Sequence, residues 1–144
     1  MRVTEIMKSE VVSVTPDTPV SGAARLMAQY NIGSLPVCLP NGRLRGLITD
    51  RDIVTRCVAA EEDAGRMTVR EIMTRSVTCV SASDTSQAAA RLMARKQIRR
   101  LPVTEDDGTV KGMLSLADLA RAAKCESDAA NALREISGNV PAVS

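Results

Sequence analysis

Two short polar segments place a hydroxyl and a carboxylate at the same spacing. Thr49 stands three residues before Asp52, and Ser115 stands three residues before Asp118, each between a run that predicts a strand and a run that predicts a helix. Unpaired backbone N–H groups and the positive end of a helix favour an anion at such a junction. A hydroxyl there can donate to a phosphate oxygen, and a carboxylate one turn on can accept from hydroxyl groups. The same spacing is also that of a capping box, so an exclusively structural role is the alternative.

The chain lacks the residues on which several kinds of functional site depend. It has no His, Phe or Trp, and Tyr30 is its single aromatic residue. Catalysis by His, metal binding by His and stacking of bases on aromatic rings are therefore excluded. Neither a Gly-x-x-x-x-Gly-Lys phosphate loop nor a Gly-x-Ser-x-Gly nucleophile elbow occurs. These absences argue against an enzyme, a metal site and a nucleic-acid partner.

Composition places the chain among soluble globular proteins. Its 144 residues are 44% hydrophobic and 25% charged, with a formal net charge of +2. No apolar run approaches the length of a membrane span, and the first residues lack the apolar segment of a signal peptide, so we expect a cytoplasmic protein with no membrane partner. The four cysteines have no C-x-x-C spacing and are expected to be reduced and mostly buried, with any redox role of Cys38 or Cys79 left open. They are Cys38, Cys57, Cys79 and Cys125.

An internal repeat organises the sequence. A shift of 66 residues aligns 3–59 with 69–125 without a gap, and 19 of these 57 positions are identical. The repeat predicts four segments: a first repeat over 1–60, an acidic linker over 61–68, a second repeat over 69–125 and a partly helical C-terminal tail over 126–144. A unit of this size buries little surface by itself, so the two copies are expected to pack together.

Each repeat predicts the order strand, helix, strand, strand, helix. In the first copy, Val11–Val14 predicts a short strand, and the first helix is expected to begin with Thr18 as N-cap and Pro19 at its first position. In the second copy, Asp84 and Gln87 predict a capping box at the same place. Hairpins are expected at 35–48, where Pro40, Asn41 and Gly42 form the turn, and around Asp107–Gly108. The last helices are expected at 50–60 and 116–124.

Three recurring segments carry a resemblance to a known family. Glu-Ile-Met opens both repeats, IGSLPV corresponds to IRRLPV, and GLITDRDI corresponds to GMLSLADL. In combination, over about 120 residues, these segments resemble the cystathionine-β-synthase (CBS) domain, two copies of which form a Bateman module. The sequence also looks like small stand-alone bacterial CBS-pair proteins. The resemblance implies an α+β fold in which two β-α-β-β-α repeats pack through their sheets with pseudo-two-fold symmetry.

The resemblance also implies a function. In this family the clefts between the repeats often bind adenine nucleotides, and modules commonly pair into a disc-shaped homodimer. We therefore expect a non-catalytic regulatory module for signal transduction that binds AMP, ADP or ATP, requires no cofactor and controls a protein partner that the sequence does not identify. By the resemblance, Asp52 and Asp118 are the residues expected to bind the ribose. Further contacts are expected from the residues around the LPV strands and from the segments that lead into the first strands. The expected nucleotide-binding residues are Lys8, Val12, Ser34, Leu35, Pro36, Thr49, Arg51, Asp52, Thr74, Arg99, Arg100, Leu101, Pro102, Ser115 and Asp118.

Charge distinguishes the two copies. Residues 3–59 carry 6 basic and 5 acidic side chains, whereas 69–125 carry 10 and 6. Arg99 and Arg100 stand where the first copy has Gly33 and Ser34, and such guanidinium groups suit bidentate contact with phosphate. The alternative is a scaffold without a ligand, which would dock a partner protein through the basic patch of the second repeat or through the tail.

Overall fold

The computed structural model describes residues 1–122 and 126–138, which form two compact units. The first-repeat unit is Val12–Val77, and the second-repeat unit is Met1–Val11 together with Thr78–Ser144. Helices and small sheets are mixed in each unit, which confirms the α+β class. Among the described residues, every helix is too short or too polar to cross a bilayer.

The first-repeat unit contains one antiparallel hairpin and its helices. Its strands β1 and β2 pair with Ser34 opposite Thr49. The strand expected at Val11–Val14 is reduced to a single parallel bridge between Val14 and Val37. Gly42 has φ of 86°, the left-handed conformation that the hairpin turn requires. The elements are α1 (Val20–Tyr30), β1 (Ser34–Cys38), β2 (Leu44–Thr49), α2 (Asp50–Ile53), which continues as a π-helical turn over Val54–Val58, and α3 (Val69–Ile72).

The second-repeat unit repeats this plan and adds a helix. Its described strands form a three-stranded sheet in the order β3-β4-β5, with β3 parallel to β4 and β4 antiparallel to β5. The helix expected at 116–124 ends at Arg121, and Lys124 lies outside the described residues. The tail helix is present as expected. The elements are a 3₁₀ turn (Val3–Glu5), β3 (Val80–Ser81), α4 (Ser86–Lys96), β4 (Arg100–Thr104), β5 (Val110–Ser115), α5 (Leu116–Arg121) and α6 (Glu126–Gly138).

The compact units do not coincide with the sequence repeats, because each unit contains the N-terminal segment of the other repeat. Lys8 at the start of the first repeat pairs with Met113 on β5, and Thr74 at the start of the second repeat pairs with Leu47 on β2. Each pairing consists of two backbone hydrogen bonds of 2.8 to 3.0 Å. The segment 61–68, expected as a linker, belongs to the first-repeat unit, where Ala64 and Met67 pack against the core.

Both predicted starts of the first helices are wrong by one residue. The N-cap of α1 is Pro19, and the Thr18 hydroxyl instead accepts from the Thr15 N–H. The first N–H groups of α1 donate to the carbonyl oxygens of Met67 and Ala64, at 2.8 and 2.9 Å. A distant backbone segment thus satisfies the donors that a side-chain cap would have bound.

The N-cap of α4 is Thr85, whose hydroxyl accepts from the Ala88 N–H at 3.1 Å. Asp84, expected to cap this helix with Gln87, instead accepts from the Ser81 N–H in the preceding turn. The predicted capping box is therefore wrong. Thr85 follows Asp84 directly and, like Asp, carries a short side chain that can accept from a helix N–H. The predicted boundary is therefore wrong by only one position.

The two cores consist of aliphatic side chains, as the composition requires. Leu35, Val37 and Ile48 are fully buried in the first-repeat unit, and Leu101, Leu114 and Leu119 are fully buried in the second. Of the cysteines, Cys38 and Cys57 are buried as expected, whereas Cys79 is exposed, which corrects the prediction for that residue. Cys125 lies outside the described residues.

Candidate functional site

The hairpins bring the predicted polar residues together in each unit. In the first-repeat unit Ser34 lies opposite Thr49, and in the second Arg100 lies opposite Ser115. The next backbone bonds extend this contact, because Asp50 N donates to Gly33 O at 2.9 Å and Leu116 N donates to Arg99 O at 2.8 Å. The residues before each LPV strand therefore lie beside the hydroxyl that begins the last helix.

The hydroxyl and carboxylate of each pair form a capping box. Asp52 N donates to the Thr49 hydroxyl at 3.1 Å, and Thr49 N donates to Asp52 Oδ2 at 2.9 Å. Ser115 and Asp118 form the same two bonds at 3.0 and 2.9 Å. The structural interpretation of both motifs is therefore correct. Each bond engages only one lone pair of its acceptor, so further binding at these groups stays chemically open.

An arginine faces the second oxygen of each carboxylate. Arg121 donates to Asp118 Oδ1 and forms an ion pair with it, while Arg56 Nε lies 4.0 Å from Asp52 Oδ1. Arg56 also donates to the carbonyl oxygen of Ile72 at 2.9 Å. Both carboxylates are buried, so the arginines supply charge compensation for them. A ligand hydroxyl at Asp118 Oδ1 would have to share that oxygen with Arg121.

A pocket of about 540 Å³ opens beside the Ser115 capping box. Arg99 and Arg100 give it a cationic side, and both are exposed. Neither arginine takes part in an ion pair within the described part of the chain. The remaining wall is apolar and comes from α5 and α6: Leu116, Ala117, Ala120, Ala130 and Leu133. Its volume falls within the roughly 300–1,000 Å³ of ordinary small-molecule sites.

Several predicted contact residues point into the cores. The side chains of Leu35, Leu101 and Pro36 are fully buried, and Pro102 is buried as well. Ile48, which pairs with Leu35 across the first hairpin, is also fully buried. These side chains hold the hairpins in place, and only the backbone groups of these residues remain for a ligand.

The segment exchange changes which residues share a unit. Lys8 precedes Thr49 and Asp52 in the first repeat, but it belongs to the unit of Ser115 and Asp118. Thr74 conversely lies in the unit of Thr49 and Asp52. The order of residues in the repeats therefore does not predict which unit these segments join, because their pairing partners lie far away in the sequence.

The remaining residues of the first-repeat unit keep their predicted neighbourhood. Val12 is half-buried and packs against the first-repeat core. Arg51 is exposed within the first turn of α2, next to the capping box of Thr49 and Asp52. Arg51 is therefore accessible to a ligand, whereas Val12 has only part of its surface available.

Sequence reasoning missed Arg121 and the apolar wall of the pocket. Arg121 pairs with Asp118, while Leu116, Ala117 and Ala120 on α5 and Ala130 and Leu133 on α6 line the pocket. For α6, a usable signal was the spacing of Ala132, Leu133 and Ile136, which predicts an apolar helix face. For Arg121 the signal was weaker, since an Arg three residues after an Asp is common on helix surfaces.

Comparison with known proteins identifies the family. The CBS domain model matches residues 3–59 and 69–124. The CBS domain-containing protein YhcV of Bacillus subtilis is 37% identical over 135 residues, which cover 94% of each chain. The chain therefore belongs to the CBS domain family and carries two CBS domains in tandem.

Solved structures agree with this fold and show what relatives contain. Hypoxic Response Protein I, with two coordinated zinc ions, has a TM-score of 0.78 and 33% identity over 85% of this chain and 98% of its own. CBSX2 in complex with AMP has a TM-score of 0.76 and 28% identity, with coverage of 88% and 98%. The CBS domain pair of MJ0100, bound to 5'-methylthioadenosine and S-adenosyl-L-methionine, has a TM-score of 0.75 and 27% identity, with coverage of 84% and 94%.

Proposed function

We propose that this protein is a non-catalytic regulatory module that binds an adenine nucleotide at the hairpin ends of its CBS domains. The observation that carries the proposal is the pocket beside Ser115, whose apolar wall faces two arginines without ion-pair partners in the described chain. The most suitable ligand is one with an apolar base and a phosphate, such as AMP, ADP or ATP. Relatives that hold AMP or adenosyl compounds support this choice.

Each side chain has a defined role in the proposed complex. Arg99 and Arg100 bind the phosphate, because guanidinium groups form charge-assisted bidentate bonds with it. The Ser115 hydroxyl accepts from Asp118 N and keeps its own proton for a phosphate oxygen. Asp118 Oδ1 accepts from the ribose hydroxyls, in place of or beside Arg121. Leu116 and Ala117 contact the base.

The first-repeat unit offers a related but less cationic set of groups. Thr49 and Asp52 reproduce the hydroxyl and the carboxylate, whereas Gly33 and Ser34 replace the two arginines. Asp50 adds a carboxylate here, with Oδ2 3.0 Å from the position of a Cβ built on Gly33. Arg51 is the exposed cation of this unit. We therefore assign phosphate binding first to the second-repeat unit.

Titration calorimetry with AMP, ATP and 5'-methylthioadenosine tests the proposal. Wild type is expected to bind AMP, and Arg99→Gln with Arg100→Gln is expected to weaken AMP binding at least tenfold. The same double substitution should change 5'-methylthioadenosine binding less than threefold, because that ligand carries no phosphate. Arg95→Gln with Lys96→Gln is the matched control, which removes the same charge from exposed positions at the end of α4. Failure of wild type to bind any adenosine-containing ligand at millimolar concentration would refute the proposal.

Regulation requires that the ligand favour one state of the protein over another. The family resemblance supports a homodimer as the assembly, and exposed Val54 and Val58 on the π-helical turn supply apolar surface for such an association. Light scattering with and without AMP measures the assembly directly. A pull-down that depends on Arg95 and Lys96 but not on nucleotide would instead favour the scaffold function.

A further inference from the structure

Helix α6 forms part of the wall of the second-repeat pocket. Ala130 and Leu133 lie one turn apart on α6 and line the same pocket as Arg99 and Arg100. Helix α6 lies outside both segments matched by the CBS domain model, the second of which ends at residue 124. The pocket is thus built from a CBS domain together with an element that the repeat does not supply.

Two anchors hold α6 on the second-repeat unit. Ala132 is 3% exposed and Ile136 is 5% exposed, and both belong to the hydrophobic core of that unit. The helix packs against α4 and α5. The rest of its described surface is largely exposed, including Leu133, which is 43% exposed at the pocket. A ligand in the pocket would therefore cover part of the exposed apolar surface of Leu133.

The chemistry of the pocket specifies the ligand that would contact α6. Its apolar residues suit a flat organic group, and Arg99 and Arg100 suit a phosphate. We infer that a nucleoside phosphate in this pocket contacts Ala130 and Leu133, so that ligand binding and the docking of α6 on the second-repeat unit are coupled. This inference rests on the proposed function and adds to it the element that responds to the ligand.

The coupling acts equally in both directions. A ligand that binds only when α6 is docked stabilises the docked state by the factor 1 + [L]/Kd. Conversely, the undocked state binds the ligand with lower affinity than the docked state, by the same factor by which saturating ligand shifts the equilibrium towards docking. Transient opening of α6 should therefore become rarer as the pocket fills.

Hydrogen exchange and calorimetry with AMP test this inference on the full chain. At AMP of about 100 times Kd, exchange through undocking of α6 should slow by up to about 100-fold at amides 130–138. Ala130→Trp fills the pocket at an exposed helix position and should weaken AMP binding at least tenfold. Arg134→Trp places the same ring at an exposed position of α6 that does not line the pocket, and it should leave AMP affinity within twofold.

The outcomes separate this inference from the proposed function. If wild type binds AMP, but exchange in α6 is unchanged at saturation and the two Trp variants bind AMP equally, the coupling is refuted while nucleotide binding stands. If wild type binds no adenosine-containing ligand, the proposed function itself is refuted, and the inference with it. Slower exchange in α6 together with selective weakening by Ala130→Trp supports both.

Discussion

Replacing Gly112 with Ala tests the segment exchange that assembles the second-repeat unit. A Cβ built on Gly112 lies 2.8 Å from the carbonyl oxygen of Lys8, well inside van der Waals contact. That oxygen accepts from Met113 N at 3.0 Å, and Lys8 N donates to Met113 O at 2.9 Å. Because the clash is with backbone, the strand cannot relieve it by a side-chain rotation. The Lys8 segment must therefore move away from β5.

The size of the effect follows from these contacts. Two backbone hydrogen bonds are weakened, at about 1 kcal/mol each, and overpacking adds about 1–3 kcal/mol. Ala stabilises the strand against the unfolded chain by about 0.5–1 kcal/mol relative to Gly. The net expectation is a loss of about 2–4.5 kcal/mol in the free energy of unfolding, or roughly 5–15 °C in Tm.

Urea unfolding followed by circular dichroism measures this loss. Gly46→Ala should behave similarly, because its Cβ would lie 2.9 Å from the carbonyl oxygen of Thr74 in the first-repeat unit. Gly138→Ala is the control, since no described atom beyond its own stretch of helix lies within 4 Å of its Cβ position, and its stability should be unchanged or slightly higher. Wild-type stability of Gly112→Ala would refute the placement of Met1–Val11 against β5.

Four further predictions concern the caps, the tail helix and the cysteines. Ser115→Ala should lower the free energy of unfolding by about 1 kcal/mol. Asp118→Ala should lower it more than Asp118→Asn does, because the Asn amide oxygen can still accept from Ser115 N. Equal losses for the two Asp118 variants in urea titrations would contradict the capping role. Ile136→Ala should cost about 2 kcal/mol in the same assay and the half-exposed Leu133→Ala less than about 1 kcal/mol, so the reverse order would be inconsistent with the burial of α6. Iodoacetamide at pH 8 should modify Cys79 in the native protein but spare Cys38 and Cys57, as read by mass spectrometry, because Cys79 is the exposed one of the three cysteines that the structure describes. Burial raises the pKa of the Cys38 thiol, so its contribution to stability is present below the ordinary pKa of 9.0 and is lost as pH rises through the folded-state pKa; a Cys38→Val variant should lose less stability over that range.

The local features of the fold were predictable from the sequence because they depend on neighbouring residues. The hairpins at Gly42 and Gly108 follow from turn residues that tolerate positive φ. The capping boxes at Thr49 and Ser115 follow from a spacing of three residues. The exact register is also local, because a short hairpin turn fixes which residues of its two strands face each other. The pairing of Ser34 with Thr49 and of Arg100 with Ser115 was therefore implicit in the repeat.

The capping bonds of the two carboxylates determine which substitutions can test their role in ligand binding. Asp52 and Asp118 each hold a backbone N–H, so substitution by Ala removes a helix cap together with any ligand contact. A loss of binding in such a variant would not distinguish the two roles. Asn keeps the acceptor and removes the charge, and it is therefore the more informative substitution at both positions.

The repeat, the family, the aliphatic core and the hydroxyl–carboxylate pairs follow from the residues and their spacing alone. Three features appear only in the folded chain: Lys8 joins the second repeat and Thr74 the first, the carbonyls of Met67 and Ala64 cap α1, and α6 lines the pocket beside Arg99 and Arg100. These contacts join backbone groups and apolar faces that are distant along the chain. Residue spacing records which face of an element is apolar, but two equivalent repeats offer each segment two equivalent edges, and the choice between them is made only when the chain packs.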